Sequence, residues 1–182
     1  MMSWGPAAVL ALALGPAGQE PPAASPVPDA VETPLSPDKM KERERNVLLT
    51  ISTVLLGQRT YAASNGKFFD EIACLLDPGK CIPGFAADGA PFLDPTYAWL
   101  EPRLGYARKF HAGPKAAPDA IGKAKASPSS LQAFAFTATP LKPGVTGGRA
   151  FCGDSGGRMC MTADGSEPPV RDGRCEPCQK LQ

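Results

Sequence analysis

Net charge, histidine and long apolar runs are all scarce in this chain. Its 19 lysines and arginines nearly balance 18 acidic residues, so the formal charge of +1 gives no reason to expect nucleic acid or anionic lipid as a partner. An apolar run at residues 7–14 is far shorter than the roughly 20 residues that cross a bilayer, so no membrane span is expected. His111 is the only histidine, which leaves little material for base catalysis. We therefore expect no catalytic residue and no cofactor.

The first 35 residues indicate an export signal followed by a linker. Residues 1–19 place small residues after the apolar run, as secretory signals do, although the usual basic start is missing. Residues 20–35 hold five prolines among Ala and Ser without apolar periodicity, which is typical of an extended spacer. We expect signal cleavage and a periplasmic or secreted location in a bacterium. The alternative is an uncleaved apolar tail.

Residues 36–65 are predicted to form one long helix. Ser36 can accept a bond from a free N–H of the first turn, and Pro37 suits the first helical position. Asn65-Gly66 tolerates the left-handed conformation that ends many helices. The predicted helix is therefore bounded at both ends by residues that favour those positions.

One face of this helix is expected to be buried, because its apolar residues recur at helical spacing. Small and polar residues, Gly57 among them, are placed on the opposite side. Residues 39–45 are nearly all charged, so we expect these turns to bury little and Glu44 to contribute little to stability. The expected buried face consists of Val47, Leu48, Ile51, Val54, Leu55 and Tyr61.

The remainder of the chain predicts a small antiparallel sheet of four strands. Residues 66–102 are rich in turns, and residues 103–165 hold four short apolar segments separated by turn sequences and by a solvated loop at 113–130. Residues 166–182 form a tail that contains two cysteines. The expected fold class is α+β, with the long helix packed on the sheet over residues 36–182.

Several short segments, in this order along the chain, resemble the type IV pilin-like or pseudopilin-like family. They are residues 50–61 (TISTVLLGQRTY), 105–106 (GY), 134–144 (FAFTATPLKPG), 149–151 (RAF), 154–156 (DSG) and Met159. The resemblance implies a non-enzymatic protein that acts by protein–protein contact in the cell envelope, in a pilus or in type II secretion. Pilin or pseudopilin subunits are the partners it implies. A basic prepilin leader and an apolar first half of the helix are missing, so we expect a soluble head domain.

Six cysteines behind an export signal predict three structural disulfides. A hairpin turn centred on Gly156 would place Cys152 opposite Cys160, within disulfide range. The local scheme then pairs Cys74 with Cys81, Cys152 with Cys160, and Cys175 with Cys178. A rival scheme joins Cys175 or Cys178 to Cys74 or Cys81. A redox role for Cys175 and Cys178, or a zinc site formed by the last four cysteines, remains an alternative.

Two further motifs suggest other functions. Residues 153–157 (GDSGG) resemble the nucleophile loop of chymotrypsin-like serine proteases, but the histidine setting of that family is absent and the chain is too short for two barrels. Turn chemistry in a hairpin explains the same residues. Basic residues could contact DNA, although without interleaved aromatics a solvated loop is expected. They are Arg103, Arg108, Lys109, Lys115, Lys123 and Lys125.

Overall fold

One long helix lies across an antiparallel sheet in this protein. A computed structural model describes residues 34–86, 88–98 and 100–181. The predicted signal peptide and residues 20–33 of the predicted linker lie outside the described residues. The helices are α1 Pro37–Ser64, α2 Ile72–Leu76, α3 Pro95–Ala98 and α4 Pro118–Ala124, with a 3-10 turn at Pro78–Lys80. In the part of the chain that the structure describes, no helix is long and apolar enough to cross a membrane.

Helix α1 begins and ends where the sequence predicts. Pro37 occupies the first turn, and Ser36 is extended, with φ −60° and ψ 151°. The Ser36 side chain makes no capping bond, so that part of the prediction is wrong; its carbonyl oxygen accepts the N–H of Met40 instead. Gly66 and Lys67 follow with positive φ, which ends the helix at Asn65.

The predicted apolar face of α1 is buried in the core, apart from Leu48, which is half-buried. Gly57 was expected on the exposed side and is buried, because the chain at Phe92 crosses directly over it. A Cβ at this glycine would lie 2.8 Å from the Phe92 carbonyl oxygen. Gln58 is buried beside it and exchanges hydrogen bonds with the backbone of Asp70. The helix thus packs on two sides, against the sheet and against the turn-rich segment.

Glu44 contradicts the expectation that the charged first turns stay in solvent. Only 4% of the residue is exposed. Its carboxylate accepts the backbone N–H groups of Gly148 and Arg149, both at 3.1 Å, and the Arg149 guanidinium at 2.9 Å from Nε. The first half of α1 is therefore fixed to the chain that enters the third strand.

The main sheet has five strands within the described residues, one more than the sequence predicts. Four follow each other as an antiparallel meander, and the tail adds the fifth beside the fourth. The strands of this sheet are β1 Tyr106–Ala112, β2 Phe134–Pro140, β3 Ala150–Asp154, β4 Met159–Thr162 and β7 Gln179–Lys180. A separate hairpin pairs β5 Val170–Arg171 with β6 Arg174–Cys175. The α+β class is confirmed, and the fifth strand was missed because two polar residues carry no alternation.

The two faces of the main sheet are covered by different elements. Phe134, Phe136 and Phe151 lie in the core shared with α1, whereas Cys152 and Cys160 cluster with residues of the tail. The helix and the tail therefore enclose the sheet between them.

Residues 113–130 are not the solvated loop that the sequence predicts. They contain α4. Asn65, at the end of α1, forms hydrogen bonds to them with both the oxygen and the nitrogen of its side-chain amide. Its Oδ1 accepts the N–H of Ser127 at 2.7 Å, and its Nδ2 donates to Ser130 Oγ at 3.0 Å. Ser127 and Ser130 are fully buried as a result.

Candidate functional site

All six cysteines form disulfides, but only one of the three predicted pairs is correct. Cys74–Cys81 is confirmed, with 5.7 Å between the Cα atoms. The predicted Cys152–Cys160 and Cys175–Cys178 pairs are wrong: Cys152 bonds Cys175 and Cys160 bonds Cys178. The rival scheme correctly ties the tail to the core, but to the wrong cysteines.

The register explains why the local prediction failed. Cys152 and Cys160 do face each other across β3 and β4, as the Gly156-centred turn predicts. Both side chains leave the same face of the sheet, and the tail crosses that face with Cys175 and Cys178. Each strand cysteine therefore meets a tail cysteine, at Cα separations of 6.0 and 5.6 Å. These bonds close longer loops than the local scheme and so remove more entropy from the unfolded chain.

The Cys74–Cys81 disulfide lies beside a buried carboxylate. A carboxylate oxygen of Asp70 and both sulfurs lie within 4.8 Å of one another. The sulfurs are bonded to each other, and Asp70 accepts the Tyr61 hydroxyl at 2.9 Å and the N–H of Glu71 at 2.9 Å. Burial, and then Asp70, raise the pKa of Tyr61 above its usual range, so the phenol stays protonated and donates. This group joins α1 to α2 as a structural network.

Ser155 and His111 each have other partners than a catalytic triad requires. Ser155 Oγ accepts the N–H of Phe134 at 3.3 Å, and the His111 ring lies 2.8 Å from Thr137 Oγ1. Asp154 accepts the N–H groups of Gly156 and Arg158, which closes the hairpin turn. The GDSGG string therefore has the turn geometry of a β3–β4 hairpin.

The basic residues of the DNA alternative have different surroundings. Lys109 pairs with Glu167 at 3.3 Å. Arg108 is 9% exposed and donates from Nε and Nη2 to the carbonyl oxygen of Glu101. Burial, and then Arg103, lower the pKa of the Arg108 guanidinium from its usual value. Arg103 itself is exposed and lies at a groove beside α1.

The outer side of α1 carries two exposed leucines that the apolar periodicity does not account for. Leu49 is 58% exposed and Leu56 is 65% exposed. Leu49 also lines the groove, together with Leu104, which is 42% exposed. None of the three was predicted to lie at a site, although Leu49 and Leu56 are out of phase with the buried stripe of the helix, which is a signal that the sequence contains.

This exposed helix side and its groove form the candidate contact site. Its apolar side chains lie among polar and cationic ones, an arrangement that suits protein contact. No protein-family model matches this chain, and comparisons with curated proteins and with solved structures likewise find no match.

Proposed function

We propose that the protein is an exported, non-enzymatic, pilin-like protein that acts by protein–protein contact in the bacterial cell envelope. The observation that carries the proposal is the long helix packed on an antiparallel meander and on the turn-rich segment, with Leu49 and Leu56 left exposed. The order of the pilin-like segments along the chain supports the family assignment.

The disulfides support export. Three bonds in a 182-residue chain fit a secreted or periplasmic protein, because thiols stay reduced in the cytosol. Two of the bonds hold the tail on the sheet, which gives them a structural role. Partners among pilin or pseudopilin subunits belong to the proposal through the resemblance.

Fractionation and crosslinking test the proposal. The full chain is expressed in bacteria with a photo-crosslinking amino acid in place of Leu56, and Lys123 on α4 serves as the exposed control position. We expect an exported, fully oxidised protein with a new N-terminus after the signal, and adducts with pilin or pseudopilin subunits from position 56 alone. Retention in the cytoplasm with free thiols, or equal adducts from both positions, would contradict it.

Ser155→Ala and His111→Ala test the non-enzymatic part of the proposal. Both variants should keep the fold and the adducts, because neither side chain has a chemical role in it. A serine-reactive probe is the direct measurement. Labelling at Ser155 that disappears in the Ser155→Ala variant would favour the protease alternative instead.

A further inference from the structure

A groove runs between α1 and the two-residue turn that precedes β1. It consists of two hollows of about 260 Å³ each, which share Asn46 and Leu104 as walls. The inner hollow is lined by Leu49, Tyr97 and Arg103, and the outer hollow extends toward the start of the helix. The outer hollow is lined by Leu35, Lys39, Glu42, Arg43, Asn46 and Leu104. Two open hollows that adjoin in this way suit an extended chain better than a compact small molecule.

Leu104 occupies the centre of the groove in a backbone conformation that leucine seldom adopts. Its φ is +55° and that of Gly105 is +73°, while Arg103 and Tyr106 exchange both backbone hydrogen bonds across the turn. Turns of this type favour Asn-Gly, because both central residues need positive φ. Leu104 therefore strains the turn and leaves an apolar side chain partly in solvent, and such strain is found at functional sites more often than elsewhere.

The turn that presents Leu104 is held firmly from behind. A Cβ at Gly105 would lie 2.7 Å from the Arg43 guanidinium and 2.7 Å from the Cβ of Thr146, so the backbone touches both residues. Arg43 also donates to the carbonyl oxygen of Thr146 at 3.2 Å. The position of Leu104 is thus preorganised, which lowers the entropic cost of binding a partner.

The groove carries more positive than negative charge. Lys39, Arg43 and Arg103 line it, with Glu42 as the one carboxylate among its lining residues. In residues 34–86, 88–98 and 100–181, none of the three cations forms an ion pair. Arg103 donates one hydrogen bond, from Nη1 to the carbonyl oxygen of Thr96, and its other N–H groups remain available as donors. Unpaired guanidinium groups beside apolar side chains are suited to a carboxylate that is followed by an apolar residue.

We propose that this groove binds an extended acidic peptide segment of a partner protein. In this arrangement an apolar side chain of the segment packs between Leu49 and Leu104, against Tyr97, and a neighbouring carboxylate pairs with Arg103. The inference rests on the proposed contact function and names the chemistry of the partner. Arg43 and Lys39 extend the positive surface along the segment.

Peptide binding to the full chain tests the chemistry. The probe is a fluorescein-labelled peptide, Ser-Glu-Leu-Glu-Phe-Glu-Ser, followed by fluorescence anisotropy. One matched peptide replaces each glutamate by glutamine, and a second replaces Leu and Phe by serine. We expect saturable binding of the acidic apolar peptide alone, weakened by salt because exposed charges are screened. Equal binding of all three peptides, or of none, would overturn the proposal.

Variants with matched controls locate the site. Arg103→Glu and Leu49→Asp should each lower the affinity at least about tenfold, whereas Arg45→Glu and Leu141→Asp, at exposed positions that do not line the groove, should leave it unchanged. Arg103→Glu should also gain binding to a peptide with lysine in place of glutamate. Similar losses from the groove and control variants would contradict the placement.

Leu104→Asn separates binding from folding. Asparagine tolerates positive φ, so the variant should melt at the same or a higher temperature and still lose at least about tenfold in affinity. A variant that is more stable and binds normally would show that Leu104 has no part in recognition.

Sedimentation of the full chain is a further test of the groove. A dimer that Arg103→Glu dissociates, without peptide binding, would assign the groove to a second copy. Adducts from position 56 without peptide binding would leave the contact function standing and remove this inference alone.

Discussion

Glu44 shows how one side chain joins segments about a hundred residues apart. Its carboxylate binds two backbone N–H groups and the guanidinium of Arg149, and its side chain is 6% exposed. The Arg149 side chain is 39% exposed, so water reaches that side of the pair. An ion pair of this kind matters chiefly through the groups that are left unpaired when one member is removed.

Glu44→Ala should lower the free energy of unfolding by about 3 kcal/mol, because Arg149 and two N–H groups lose their acceptor. Glu44→Gln keeps a neutral acceptor, and its cost should be smaller, about 1–2 kcal/mol. The control is Glu42→Ala, an exposed position on the same helix, with an expected change within about 0.5 kcal/mol. Urea unfolding of the three variants measures these differences. Equal losses for Glu42 and Glu44 would contradict the role of the pair.

His111 should make stability depend on pH. Burial, and then Lys109, lower the pKa of its imidazole below 6.5, against the opposing effect of Glu167. Below pH 6.5 the unfolded chain therefore binds a proton that the folded protein resists, and stability falls as the pH decreases. Glu71, whose pKa is raised by burial and then by Asp70, acts in the opposite direction at lower pH.

The measurement compares wild type with His111→Gln between about pH 7.5 and about pH 5.5. The loss of stability on acidification should be smaller in the variant, since the other groups are common to both proteins. A single imidazole signal also allows direct NMR titration, with a midpoint below 6.5 expected. A midpoint above 6.5 would contradict the prediction, because protonation of His111 would then stabilise the folded protein.

At the scale of elements, α1 could be predicted because its signal is local. The spacing of Val47, Ile51 and Leu55 is set by the helix itself, and its end at Asn65 follows from adjacent residues. Gly57 and Glu44 could not be placed on the buried side, because their partners, Phe92 and Arg149, are distant in the chain. Periodicity shows which face is apolar, but it cannot show which polar residues find a buried partner.

Two adjacent leucines on α1 allow the effect of burial on stability to be measured with the residue type held constant. Leu55 is 6% exposed and Leu56 is 65% exposed. Leu55→Ala should cost about 2–5 kcal/mol, through lost burial and the cavity left behind. Leu56→Ala should change stability by no more than about 0.5 kcal/mol. Thermal or urea unfolding of the pair is the measurement, and similar losses for both would contradict the packing of α1.

The sheet was predictable in its strands and less so in its partners. Phe134, Phe136 and Ala138 alternate on one face, and the turn at Gly156 fixed the register of Cys152 with Cys160. The groove could not be predicted in the same way, because no local sequence signal indicates that Leu104 lies in a two-residue turn. A Leu-Gly pair differs from the usual Asn-Gly signal, so the turn became visible only from the backbone.

At the scale of the whole molecule, the tail completes the fold as a third layer. It adds β7 to β4 and places β6 over the far face of the sheet. Short strands of two residues bury too little apolar surface to hold by themselves. The two disulfides close separations of 23 and 18 residues and supply the missing stability, about 2–4 kcal/mol each. The connectivity of the cysteines therefore decides whether this layer exists.

Non-reducing peptide mapping tests that connectivity on the intact chain. Trypsin releases residues 150–158, 159–171 and 175–180, which carry Cys152, Cys160 and the two tail cysteines respectively. We expect one species in which the tail peptide is linked to both of the others. Fragmentation of the tail peptide between Cys175 and Cys178 should then leave Cys175 attached to the peptide with Cys152. Replacing both tail cysteines by serine should expose the far face and cost more stability than replacing Cys74 and Cys81, whose loop is short. A free tail peptide beside a linked 150–158 and 159–171 pair would restore the local scheme and remove the third layer.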